Sequence, residues 1–203
     1  DLIFDGGSFL MVKLGNIISQ EKFFIESNKI INTKSPKKSK LIIDKNRILK
    51  ALYSPGHAKH HYSFYEEISG TIFMGDTLGL IYPHGNFVQP NLPPPDFDKE
   101  ILFETLEKFE KLELNNLALA HFGIHSKPYE LIDNAIENIE LWVSFIKKLP
   151  ELNNSDAAFA IEKWVKNNYK VLNIDDHTIN NYILSSNFEM QVIGIRDYLN
   201  KIK

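Results

Sequence analysis

Ile72-Phe73-Met74-Gly75-Asp76-Thr77-Leu78 is the stretch that decides how the chain folds. An apolar, strand-type run stops on a glycine, and a carboxylate follows at once. The same layout occurs twice more. Ser54-Pro55-Gly56-His57-Ala58-Lys59-His60-His61 closes the apolar run Ile48-Leu49-Lys50-Ala51-Leu52-Tyr53, and Leu117-Ala118-Leu119-Ala120 runs into His121-Phe122-Gly123. Strand ends on a sheet hold binding groups accurately, and a glycine beside them lets a metal or substrate approach the backbone. The chain has no cysteine, and imidazole and carboxylate are the ligands a catalytic Zn, Mn or Fe ion takes when thiolate is absent. One such histidine alone reads as a surface or hydrogen-bonded core residue, and Asp76 alone as a turn residue. Three together point to a site.

Working outward, Tyr62-Ser63-Phe64-Tyr65 and Thr71-Ile72-Phe73-Met74 flank Ser69-Gly70, the composition of a hairpin turn. Tyr62 and Phe64 read as core strand residues. After the proline-rich run from Pro90 to Pro95, Asp96 or Asp98 is placed to cap a helix reaching about Leu112, with Ile101, Leu102, Thr105, Leu106 and Phe109 on its buried face. Beyond His121 the pattern is helical throughout. Pro128 starts a helix with the stripe Leu131, Ile132, Ala135, Ile136, Ile139, Val143 and Ile146, and further helices are expected over 157–166, 179–184 and 188–202. Near the N-terminus, Phe9, Leu10, Leu14, Ile17 and Ile18 fall on one helical stripe. The break near Pro150–Ser155 divides the chain into a body, 1–150, and a helical extension packed on it, 151–203.

Composition narrows the function. With 43% hydrophobic and 12% aromatic residues among 203, the chain is too apolar to be disordered and large enough to bury a core without disulfides. A net charge of -3 argues against a nucleic-acid partner, and the lysines of 34–40, broken by Pro36, read as a solvated loop. No apolar run approaches the ~20 residues that span a bilayer, so no membrane association is expected. Absence of cysteine fits a cytoplasmic location.

Taken together, the three segments resemble the second half of a metallo-β-lactamase-fold hydrolase. Leu92-Pro93-Pro94-Pro95-Asp96-Phe97-Asp98, followed by a helix and His121-Phe122-Gly123, resembles a prokaryotic, glyoxalase II-like branch. The resemblance covers residues 1 to about 125. It implies an α/β (α+β) fold, the αββα sandwich, with a helical C-terminal region. It also implies that His57 serves a first metal, that Asp76 bridges two metals, and that His121 serves the second. By the same resemblance the protein is a hydrolase of an ester, thioester or similar bond in a small-molecule substrate, using metal-activated water.

The departure lies at the start, Asp1-Leu2-Ile3-Phe4-Asp5-Gly6-Gly7. Register with the family's His-x-His-x-Asp-His signature puts Asp1, Ile3 and Gly6 where histidines stand and keeps only Asp5. Gly7-Ser8-Phe9-Leu10-Met11 is then the start of the helix that follows the signature. On this register the family's first half and first motif are missing or degenerate; a chance alignment is the other reading. Asp5 keeps the family's role of metal ligand and orienter of the nucleophilic water. Two imidazoles lost from the first metal leave it His57 and the shared Asp76, fewer than the three protein ligands of a typical catalytic zinc, so one weakly held ion is expected, Zn first, with Mn or Fe as alternatives. His60 and His61 stand within reach as supporting or substrate-contacting residues, and His84 on a loop that rims the site; His125 and His177 read as surface residues. A face left uncovered by a missing sheet would be packed by the C-terminal helices or by a second copy, a homo-oligomer. The rival reading is an inactive relative acting as a binding or assembly module.

Overall fold

The structure is a computed structural model. It describes the backbone of residues 2–5, 8–11 and 39–42 and all atoms of 47–85 and 87–202. Residues 1–51 and 52–203 form two compact units.

In the first unit β1 (Leu2–Asp5) pairs antiparallel with β2 (Ser8–Met11), Asp5 standing opposite Ser8. This corrects the helix expected from Gly7 onward. Leu2, Phe4, Phe9 and Met11 also fit the period of a strand, and Gly6-Gly7 is a dipeptide favoured between hairpin strands. The side chain of Asp5, the residues Asp1 and Gly6, the apolar positions Leu14, Ile17 and Ile18, and the lysines 34–38 lie outside the described residues. β3 (Ser39–Ile42) pairs antiparallel with β4 (Ile48–Tyr53), Ile42 opposite Ile48.

The second unit carries a sheet in the order β5-β6-β7-β8: β5 (Tyr62–Glu66), β6 (Thr71–Gly75), β7 (Asn116–Leu119) and β8 (Ile124–Ser126). β5 and β6 form the expected antiparallel hairpin. β6 and β7 are parallel, with Ile72 beside Leu117 and Gly75 beside Leu119. A parallel pair needs a crossover, and α1 (Lys99–Glu110) provides it. Such strands are covered on both faces, which is why they read as continuous apolar runs: Ile72, Met74 and Leu117 are fully buried. β8 was not expected, because three residues with one inward side chain are too short for a periodic signal. Its middle residue His125 is half-buried, not a surface residue, and burial lowers its pKa.

Asp98 caps α1, its Oδ1 accepting from the Ile101 amide at 3.1 Å, an interaction worth about 1 kcal/mol. Leu102, Thr105, Leu106 and Phe109 face inward as expected, but Ile101 is exposed. Four more helices follow: α2 (Pro128–Lys148), α3 (Asn154–Val171), α4 (Asp176–Ser185) and α5 (Phe188–Lys201). Asn153, Asp175 and Asn187 cap the last three through side-chain oxygens. One apolar core joins these helices to the sheet: Ile72, Leu106, Ile139, Trp142, Val165 and Val192 all belong to it. Among the described residues no helix is long and apolar enough to cross a membrane.

Candidate metal and substrate site

The parallel pairing of β6 and β7 builds the centre of the site. Both strands run in one direction, so the residues just after them emerge at the same sheet edge, where α/β proteins place their ligands. The Ala120 amide bonds the Gly75 carbonyl at 3.1 Å, which aligns the two exits. Asp76 and His121 are the next residues out. His121 Nε2 stands 3.6 Å from Asp76 Oδ1, with the imidazole more than half exposed. That carboxylate oxygen is itself buried and, among the described residues, has no hydrogen-bond partner. A buried oxygen left unpaired costs about 1–3 kcal/mol, more if charged.

The Pro-Gly-His turn is held by α1. Thr105 Oγ1 donates to the Pro55 carbonyl at 2.7 Å, and the Asp98 amide to the Gly56 carbonyl at 2.9 Å. Gly56 has φ +124°, and a Cβ there would fall 2.3 Å from Leu102 Cα, so only glycine allows the turn to lie on the helix. His57, at the end of this turn, is buried, and its Nδ1 is 2.8 Å from the Asn91 carbonyl. A carbonyl can only accept, so Nδ1 carries the proton and Nε2 is left with a free lone pair. This is the tautomer a metal-binding histidine needs.

His61 joins the two turns. Its Nδ1 lies 2.8 Å from Ser54 Oγ and 2.9 Å from Thr77 Oγ1, while Ser63 Oγ donates to Ser54 Oγ at 3.0 Å. Its ring meets His57 edge-on, 5.8 Å between centroids. A Cβ on Gly75, at φ +55°, would come within 2.6 Å of His61 Nε2. Burial, with further depression from the His57 and His60 charges, pulls the His61 pKa down to about 3, so the ring is neutral at pH 7.

The structure therefore pairs His57 with His61 and Asp76 with His121, and His61 reaches the Asp76 turn through Thr77. His60 and His84 are exposed. Among the described residues, no three His, Asp or Glu side chains converge on one point as a ready metal site. Ser54, Ser63 and Thr77 were missed by sequence reading. Ser63 lies within β5 and Ser54 and Thr77 just beyond β4 and β6, positions that give no hint of a shared partner.

No protein-family model and no curated protein matches the sequence. Solved structures do match in fold. A metallo-β-lactamase family protein of Thermus thermophilus superposes with a TM-score of 0.55 at 16% identity, over 81% of this chain and 47% of its own. An archaeal metallo-β-lactamase superfamily protein of Sulfolobus tokodaii gives 0.50 at 19% identity, over 87% of this chain and 63% of its own. The chain thus spans about half of the first relative and under two thirds of the second. It shares with them the metallo-β-lactamase fold.

Proposed function

We propose that the protein is a metal-dependent hydrolase that cleaves an ester, thioester or similar bond of a small molecule, in the manner of the glyoxalase II-like branch of this superfamily. The observation that carries the reading is the buried, unpartnered Asp76 Oδ1 beside His121 Nε2, at the outlet of two parallel strands. This donor set fits a divalent cation: one orphaned carboxylate oxygen, one exposed imidazole and, through His57, a second imidazole in the right tautomer. Asp76 and His121 would hold the ion, joined by His57 as the resemblance implies, zinc before manganese or iron because imidazoles dominate the set. Asp5 is the fourth residue of the proposal and rests on the resemblance alone.

When bound, the ion supplies Lewis acidity toward the substrate carbonyl and a lower pKa for water. The chain's own part is to orient and to exclude. Asp76 fixes the acidic edge of the site. His121, freely exposed, is within reach of substrate, and His57 is locked by Asn91. In the reaction a water oxygen bonds the acyl carbon, the carbon–oxygen or carbon–sulfur bond breaks, and the alcohol or thiol leaves with a proton, yielding a carboxylate. With few ligands in place, at most one ion is held per chain, and weakly. Metal analysis after dialysis against zinc or manganese should find at most one ion, lost in Asp76→Ala, with turnover of p-nitrophenyl and thioester substrates following the metal. Two tightly held ions would overturn the stoichiometry, and turnover unaffected by Asp76→Ala the mechanism. The lack of a converged three-residue group among the described residues favours a second reading, a binding or assembly module; metal without turnover of any acyl substrate would establish it.

A further inference from the structure

Beside the Asp76–His121 pair stands a half-exposed aromatic side chain, covered on one side only. Phe122 follows His121 directly and is 48% exposed. Its backbone is left-handed, φ +65°, a conformation that costs a bulky residue roughly 1–3 kcal/mol. Asparagine occupies that region readily; phenylalanine does not. The strained backbone swings the ring onto Tyr82, centroids 4.8 Å apart, and leaves it 6.1 Å from the His121 ring. A Cβ on the next residue, Gly123, would meet no atom within 4 Å, so the turn is open at that position.

What lies beneath Phe122 is rigid. Tyr82 is 2% exposed and stacks on Tyr182 of α4 with centroids 4.4 Å apart and planes 20° from parallel. Its hydroxyl is 2.8 Å from Ser185 Oγ and 3.0 Å from Ser186 Oγ, and the Tyr182 hydroxyl donates to the Pro83 carbonyl at 2.6 Å. The C-terminal helices therefore fix the turn that supports Phe122. A mobile ring on a soft loop could not select between ligands; a ring clamped from below can.

We propose that Phe122, seated on Tyr82, is a specificity-determining wall that receives an uncharged apolar group, aromatic or of about four carbons or more, on the ligand bound at Asp76 and His121. Describing that group as the acyl portion of a substrate rests on the hydrolase reading above; its binding does not. The ring-to-ring distance of 6.1 Å is what a short hydrocarbon chain spans from a carbonyl held at His121.

The test uses neutral probes that need neither metal nor turnover: acetamide, hexanamide and benzamide. The full chain is labelled with 4-fluorophenylalanine, and the Phe122 resonance is identified by its loss in Phe122→Asn, a residue at ease with the left-handed backbone. Hexanamide and benzamide should shift this resonance at concentrations about tenfold below acetamide, the gain expected for partial burial of the added carbons. Phe122→Leu should keep the discrimination. Phe122→Asn should abolish it, read by ligand line-broadening, with the melting temperature not lowered. Equal response to all three amides, or discrimination that survives in Phe122→Asn, would overturn the wall. The hydrolase reading fails separately. A protein that discriminates among amides but turns over neither p-nitrophenyl acetate nor hexanoate keeps the wall and loses the reaction. One that turns over both esters equally keeps the reaction and loses the wall.

Discussion

The site has two halves with opposite character. Around His61 every polar contact is made within the protein: Ser54, Ser63 and Thr77 bond one another or the imidazole, and Gly75 leaves room for the ring. Around Asp76 and His121 the reverse holds, with an unpartnered carboxylate oxygen and an imidazole open to solvent. A buried network that is fully satisfied rigidifies; a buried group left unsatisfied is poised to bind. The first half is closed and the second open, although histidine appears in both.

Breaking the open half should have the largest functional effect at the smallest structural cost. Asp76→Ala is expected to abolish divalent-cation binding, by at least ~100-fold, because it removes the only orphaned carboxylate oxygen in the described site. Its apo melting temperature should hold or rise, since an unpaired buried oxygen is removed. Metal analysis and thermal melting check the two parts, and a melting temperature lower by more than about 5 °C would place Asp76 in the scaffold instead.

The closed half should answer to acid. The His61 pKa is about 3 folded against 6.5 as the ordinary value. A depressed folded value means that the unfolded chain binds the proton first. The contribution is therefore intact above pH 6.5 and falls by about 1.4 kcal/mol for each pH unit between 6.5 and about 3. Chemical denaturation with chelator present, at pH 7 and 5, should show this loss, and it should be absent in His61→Asn. A pH-independent midpoint would mean that the ring is not enclosed.

Next in size is His61→Ala. It strips partners from Ser54 and Thr77 and should cost about 1–3 kcal/mol of stability. Cation affinity should fall with it by ~10–100-fold, as when a supporting partner is lost. Denaturant unfolding and metal titration would separate the effects. The smallest change is expected from His60→Ala. The side chain is exposed, and affinity should move by less than about threefold. Equal effects from His60 and His61 would erase the contrast between the two halves.

Much of the site was legible as sequence because each ligand-type residue directly follows an apolar run. The run makes the strand, and the strand's end places the residue, so His57, Asp76 and His121 stand out before any coordinates. The αL phenylalanine, by contrast, leaves no trace in composition, since φ is chosen by what the ring finds to lie on. At the N-terminus the sequence allowed two periods. Phe9 and Leu10 suit a helix stripe, yet β2 pairs them with Phe4 and Ile3. A four-residue window cannot distinguish the two.

By itself, the sequence determined the strands that end before His57, Asp76 and His121, a helix cap at Asp96 or Asp98, the identity of the ligand-type residues and the metallo-β-lactamase likeness. These follow from neighbours a few residues apart, where spacing and chemistry are both on the chain. Only the tertiary structure decided that two neighbouring histidines part company, His61 neutral and enclosed and His60 in solvent. It alone left Asp76 Oδ1 without a hydrogen-bond partner among the described residues, and it alone set Phe122 on Tyr82 under the clamp of α4. Burial, dielectric and unmet hydrogen bonds depend on residues distant in sequence, and no local pattern encodes them.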